Sequence, residues 1–306
     1  MKPLNYPSIE QFREFVELRD YAPATKTEYV RYLCVAARHF GSDPAGATEV
    51  QLREFFLHVR QTKRYSPVAL NLLKCSLRLF YRDFIKVADG WRVFSDLRIQ
   101  RDETIPVVLS QEEVARLLGG VREPRFRTAL TLIYHCGLRV GEAVALQVSD
   151  ILSARGVIHI RGAKGRKERH VPIAPEMIQR LREYWRLHRH PRWIFPSPGR
   201  NWRFDSRQLN ARLRGAEGHL SVSAVQLAVR MARAQAGIRT EACVHTLRHC
   251  FATHLLEAGV SLRLISEYLG HKSLDTTAIY LHLTAPNEER AREALGQLLL
   301  RVQPKP

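Results

Sequence analysis

The chain has 306 residues, room for two domains of ordinary size, and its 48 Lys+Arg against 30 Asp+Glu give a formal net charge of +18. That excess suits a polyanionic partner, RNA as readily as DNA, because a basic surface neutralises phosphates whatever their sequence. Nothing near Met1 reads as a signal peptide and no apolar run approaches the roughly 18–20 residues that span a bilayer. The five cysteines form no C-x-x-C pair, so reduced thiols, a cytoplasmic location and no membrane contact are expected.

In chain order, Ile9, Phe12 and Val16 mark a first helix, and Tyr29, Leu33, Ala37 and Phe40 a second. Thr48 with Gln51 caps a third. Ser66-Pro67 opens a fourth, with Leu70, Leu73, Leu77, Phe80 and Phe84 inward. Along it Lys74, Arg78 and Arg82 recur every four residues as a basic stripe, a candidate track for a nucleic-acid backbone. The polar segment 99–108 breaks the helical periodicity, and the S-x-x-E box of Ser110 and Glu113 starts a new helix. The expected division is a helical domain over 1–100, a linker over 101–109 and a second domain over 110–306.

In C-G-L-R-V-G-E-A (136–143), Gly137 ends one helix and Gly141 permits a tight turn into the next, leaving Arg139 on the connection with Glu142 as its ion-pair partner. Residues 157–173 read as a hairpin, with Val157, Ile158 and Ile160 facing Val171 and Ile173 around a polar turn at Gly165. Arg166, Lys167 and Arg169 read as a solvated or phosphate-binding tip. Lys164, where strand meets turn, can carry a desolvated ammonium to a leaving oxygen. The Arg-rich stretch 199–219 reads as a long loop or insertion. The fold class expected is mainly α with a small antiparallel β-sheet.

The chemistry concentrates in H-T-L-R-H (245–249), L-G-H (269–271) and Tyr280. His245 and Arg248 lie three residues apart on one helical face, while Leu247, Phe251 and Leu255 give that helix an apolar face. Gly259 ends it, a second helix through Leu262, Ile265 and Leu269 stops at Gly270, and His271 follows that glycine cap. Tyr280 comes nine residues after His271 (280 − 271), on a short helix that Ser273 can cap. A phenol with a pKa near 10 needs help to attack an anionic phosphodiester. Arg248 and Arg139 offer planar, bidentate donors for the charge that builds at phosphorus. His245 and His249 have the spacing of a zinc pair, but Thr246 stands where an H-E-x-x-H site needs glutamate, so no metal is expected. After the tyrosine, 288–302 reads as an amphipathic helix.

Taken together, G-L-R-V-G-E (137–142), A-K-G-R-K-E-R-H-V-P (163–172), H-T-L-R-H, L-G-H and Tyr280 resemble the tyrosine recombinases, the integrase and Xer family of site-specific DNA recombinases. The likeness runs from about residue 108 to about 285. It implies an all-helical N-terminal core-binding domain and an α+β catalytic domain. It implies Arg139 and Arg248 as a phosphate clamp, Tyr280 as nucleophile, Lys164 as the acid for the leaving 5′-hydroxyl, and His245 and His271 as proton-transfer and phosphate-binding groups. It further implies double-stranded DNA with short core sites as partner, no arm-binding domain, a tetramer on two duplexes with C-terminal helices exchanged between protomers, and neither ATP nor any other cofactor. Two other classes fit the same residues, a DNA-binding relative that does not cut, and a type IB topoisomerase or resolvase that reseals without exchange.

Overall fold

The computed structural model describes residues 6–87, 91–99, 106–163, 167–199, 206–271 and 273–281. Its chain divides into two compact units, residues 1–104 and 105–306.

The first unit is helical: α1 Pro7–Glu17, α2 Pro23–Phe40, α3 Glu49–Gln61, α4 Pro67–Arg78 and the short α5 Val93–Asp96. Proline opens α1, α2 and α4, where its missing N–H and fixed φ are harmless. Thr48 accepts from the Gln51 N–H while the Gln51 side chain accepts from the Thr48 N–H, the reciprocal box expected at α3. Phe12, Leu33, Leu52, Phe55, Leu73, Leu77 and Phe80 form the core. Phe12 meets Phe80 edge to face at 5.2 Å, the arrangement aromatic quadrupoles favour.

The basic stripe on the fourth helix is not continuous. Lys74 donates to the Leu97 carbonyl at 2.8 Å, which occupies its ammonium within the unit. After Arg78 the helix widens into a π-helical turn, Leu79–Phe84, with the Ile85 N–H reaching back five residues to the Phe80 carbonyl. Arg78 and Arg82, before and within that turn, both stay exposed.

The second unit begins at α6 Gln111–Gly119, capped by Ser110 and Glu113 as the box predicts. It continues through α7 Pro124–Cys136 and α8 Val140–Val144 into a three-stranded antiparallel sheet of order β1-β2-β3, Ile151–Leu152, Val157–Ala163 and Lys167–Pro172. The two-residue β1 lies outside the predicted hairpin and carries no period-2 signal long enough to read. Then come α9 Pro175–His188, α10 Ser206–Arg214, α11 Val222–Gln235, α12 Val244–Glu257, α13 Leu262–Leu269 and α14 Asp275–Ala278. Part of the stretch read as a loop is therefore helical, since α10 falls within 199–219, where Leu213 buries against α9 and Arg214 donates to the His188 carbonyl. No helix among the described residues is long and apolar enough to cross a membrane.

Buried α7 is the axis of this unit, with α12 and α9 packed on it. It ends at Gly137, whose left-handed φ of 61° suits glycine. A Cβ there would lie 2.4 Å from a Phe251 ring carbon and 3.0 Å from Leu269. Gly137→Ala is expected to destabilise the fold by at least about 2 kcal/mol, from overpacking and backbone strain together. The readout is the thermal unfolding midpoint, and an unchanged midpoint would mean that α7 and α12 are not held at this close approach.

Candidate active site

The C-terminal ends of α7 and α13 converge on Arg248. It lies on α12, whose apolar residues Leu247, Cys250 and Phe251 are buried in the unit. Its own side chain is also drawn in, with only 2% exposure, where the sequence pattern left it free to line a cleft. NH1 donates to the Gly137 carbonyl and NH2 to the Leu269 carbonyl, both at 2.6 Å. These carbonyls end α7 and α13, the negative ends of two helices, and they satisfy part of a guanidinium that would otherwise be costly to bury. Burial, then the nearby Arg139 charge, lowers the Arg248 pKa to about 10, still a cation at neutral pH.

His271 follows Gly270, the left-handed cap of α13. Its Nε2 lies 3.2 Å from Arg248 NH2 and its Nδ1 2.8 Å from Thr277 Oγ1. A guanidinium only donates, so Nε2 is the acceptor and the ring proton sits on Nδ1, donated to Thr277. Burial, followed by the charges of Arg248, Arg139 and Arg169, lowers the His271 pKa to about 4. His245 lies on α12, one turn before Arg248, its pKa lowered by desolvation and then by Arg248 and Arg139.

Arg139 precedes α8 directly. Its guanidinium NH1 donates to Glu142 Oε1 at 2.9 Å, and the Glu142 carboxylate also accepts from the Arg139 backbone N–H at 2.9 Å. The Arg139 side chain is 32% exposed against 8% for Glu142, so the cation keeps a face toward an incoming anion. Gly141 does not make the turn expected of it; α8 starts at Val140 and Gly141 lies inside its first turn.

Tyr280 lies just beyond the four-residue α14 rather than on it. Ser273 Oγ accepts from the Asp275 N–H at that helix's start. The Tyr280 ring is 2% exposed, packed with Phe251, Ala252, Ile265 and Leu269. Its hydroxyl is hydrogen-bonded to His249 Nδ1 at 2.9 Å. Desolvation raises the phenol pKa, with the Arg248 charge opposing it. Burial, then the neighbouring charges of His245 and Arg248, lowers the His249 pKa to about 4, so the imidazole that meets the phenol is neutral at pH 7. Sequence reasoning placed no role on His249. Its i, i+4 spacing from His245, with ring centroids 4.6 Å apart, was the available signal.

The structure thus gathers Arg139, His245, Arg248 and His271 into one electrostatic environment, with Tyr280 tethered one helical turn from His245. Lys164, Arg166 and the side chain of Lys167 lie outside the described residues, as does the amphipathic segment 288–302. Arg169 departs from the tip reading. Its side chain is 10% exposed, paired to Glu142 with NH1 at 3.0 Å from Oε1 and NH2 at 2.8 Å from Oε2, and its Nε donates to the Tyr268 carbonyl at 2.9 Å. The physical reason is strand alternation. Ile158 and Ile160 pair with Val171 and Arg169, so the register that buries Val171 turns Arg169 to the same face. Among the described residues no cluster of three or more His, Cys, Asp and Glu side chains is arranged to hold a metal.

Comparison of the chain with known proteins points to one family. Residues 107–286 match the phage integrase family, and residues 9–88 match the phage integrase N-terminal SAM-like domain. Tyrosine recombinase XerA of Thermococcus kodakarensis is 33% identical over 287 residues, covering 93% of this chain and 94% of the relative. Tyrosine recombinase XerD of Yersinia pestis is 31% identical over 306 residues, covering 96% and 95%. Among solved structures, a lambda integrase tetramer bound to a Holliday junction aligns with a TM-score of 0.69 at 18% identity, covering 89% of this chain and 76% of that one. XerH bound to a palindromic difH substrate aligns at 0.64 and 22%, covering 95% and 84%. With its catalytic-region match spanning more than half its length, the chain belongs to the phage integrase family, as a tyrosine recombinase of the integrase and Xer type.

Proposed function

We propose that this chain is a site-specific DNA recombinase in which Tyr280 Oη attacks a backbone phosphorus, forming a 3′-phosphotyrosyl bond as the bond to the 5′-oxygen breaks. The freed 5′-hydroxyl of one duplex then attacks the phosphotyrosine of the other and returns the tyrosine. Each step makes one phosphoester bond and breaks another, so bond energy is conserved and no nucleotide is consumed. Arg139 and Arg248 clamp the phosphate, His245 and His271 hydrogen-bond it once His271 carries a proton on Nε2, and Lys164 protonates the leaving oxygen. Residues 1–100 grip the core site, 101–109 connect, and 110–306 cut.

The observation that carries this reading is the charge balance of the site. Arg139 and Arg169 pair with one carboxylate, Glu142, which the Arg248 charge also senses, and the pKa values of His245 and His271, lowered first by burial, are lowered further by the surrounding arginines. Preorganised cations of this kind are the largest catalytic contribution when charge builds on a phosphoryl group. The guanidinium has five N–H donors, so the two carbonyls that fix the Arg248 plane leave directions free for phosphate oxygens. Tyr280 is held back, its hydroxyl bonded to His249, and attack requires its release.

Relatives described as bound to core sites and as a tetramer on a junction support the same partners here: double-stranded DNA with short core sites, and self-association to a tetramer on two duplexes. The place of action is the nucleoid within the cytoplasm. The test has two stages. Fragmented host DNA is incubated with the chain and denatured in detergent, and DNA left on the protein is sequenced to recover the target. Two labelled duplexes carrying that target are then mixed with the chain. Recombinant duplexes are expected, whereas cleavage and resealing without exchange of partners would assign a topoisomerase-like activity instead.

A further inference from the structure

Arg169 belongs to none of the groups that meet the phosphate in the scheme above, yet from β3 it joins two of the elements that carry them. From β3 its Nε reaches the Tyr268 carbonyl in the last turn of α13, directly before the Gly270–His271 cap. Its two terminal nitrogens take both oxygens of Glu142, which also holds the Arg139 backbone N–H and guanidinium. Gly270 records the closeness of the fit. A Cβ at that position would lie 2.9 Å from Arg169 Cδ and 3.1 Å from Nε, so the cap carries no side chain where the arginine passes. A bidentate guanidinium has one orientation, and two ends fixed in this way set the separation of the elements it bridges.

Resting on the tyrosine recombinase reading of this site, we propose that Arg169 is a positioning residue, bridging the Arg139–Glu142 start of α8 to the Tyr268–His271 end of α13 so that the phosphate-binding groups keep their spacing. It acts through Glu142 and the α13 terminus and does not meet DNA. The groups facing Glu142 are Arg139 from α8, Arg169 from β3 and the Arg248 charge from α12. Burial alone would raise the Glu142 carboxyl; the Arg169 hydrogen bonds and charge, then those of Arg139, hold it at about 2. Without Arg169 that carboxyl moves upward, and a protonated Glu142 no longer pairs with Arg139 by charge. The sign follows: the wild-type Glu142 carboxyl stays ionised well above its pKa of about 2, while a variant lacking Arg169 begins to lose rate at a higher pH than wild type as the solution is acidified.

The test uses the full chain, with Arg169→Ala and Arg169→Lys, on a nicked duplex carrying the target recovered by covalent capture. Single-turnover cleavage by Arg169→Ala is expected to fall roughly 10²-fold, the effect of an ångström-scale misplacement. The Kd for the duplex and its salt dependence should stay within about twofold of wild type. Lysine should not restore the rate, because a point charge cannot span both carboxylate oxygens and the carbonyl. An acidic limb should appear in the pH profile of Arg169→Ala and vanish again when Glu142→Gln is added. If the alanine variant does not fold, the rate loss is read from Arg169→Lys, whose ammonium keeps the charge beside Glu142 and gives up the planar fork. Wild-type rates at every pH would overturn the proposal, as would an affinity loss as large as the rate loss together with a shallower salt dependence, which would make Arg169 a DNA contact. A wild-type chain that gives no Tyr280-dependent adduct sinks the reading of the site itself, an outcome distinct from a failed Arg169 variant.

Discussion

Tyr280→Phe is expected to abolish covalent protein–DNA adducts while leaving DNA affinity within about twofold of wild type. The substitution removes one oxygen and keeps the ring, which packs with Phe251, Ile265 and Leu269, so the apolar cluster retains its shape. What is lost in the fold is a single hydrogen bond to His249, about 1 kcal/mol by the usual net value. What is lost in the chemistry is the proposed nucleophile, for which no geometry compensates. The measurement is detergent-resistant adduct on the captured target, read beside a gel-shift titration. Adducts at the wild-type level in the phenylalanine variant would remove Tyr280 from the reaction. Tight binding by both proteins with no adduct from either would favour a DNA binder that does not cut.

Arg248→Ala is expected to lower strand cleavage by roughly 10³-fold or more, taking about 10²–10³ for the loss of one preorganised donor to a developing oxyanion as the lower guide. The side chain also has a second task in the fold. Its removal leaves the buried Gly137 and Leu269 carbonyls without their donor, a loss of about 1–3 kcal/mol for each group left unpaired. Rate loss must therefore be read on protein that is still folded, by working well below the measured midpoint. Arg248→Lys serves as the comparison, because it keeps the charge and gives up the planar fork. An independent check comes from His271. Arg248 is the largest of the charges that, after burial, hold this histidine near pKa 4, so the His271 titration in Arg248→Ala should move upward from that value. Near-normal cleavage by the alanine variant would exclude Arg248 from the clamp.

How much of this was legible beforehand differs from one residue to the next. Helix ends were readable because their determinants are local: Thr48 with Gln51, Ser110 with Glu113, and Gly270 at the end of α13 each act within one turn of chain. The grouping of Arg139 with His245, Arg248 and His271 came from the order of motifs that resemble a family, and the structure brings the four together. Burial was harder to foresee. Arg248 reads as a cleft residue from its polar face, and only the two helix ends arriving from 111 and 21 positions away reveal why a cation can be enclosed there. Arg169 was hidden by its neighbours. In a run crowded with Lys and Arg, the charge pattern suggests a tip, whereas the alternation from Ile173 through Val171 already pointed the third residue inward. The retention of Tyr280 by His249 depends on how α12 and the turn after α14 meet, which no local pattern records.

If Tyr280 is the nucleophile as proposed, that contact sets where control of cutting resides. A phenol enclosed at 2% exposure and bonded to a neutral imidazole cannot reach a phosphodiester that the chain brushes past. Raising the amount of free protein in a cell therefore raises occupancy of DNA without raising the number of nicks in proportion. On that mechanism the frequency of breaks follows the release of one side chain as well as occupancy, and a genome can host an abundant supply of this enzyme with its strands intact.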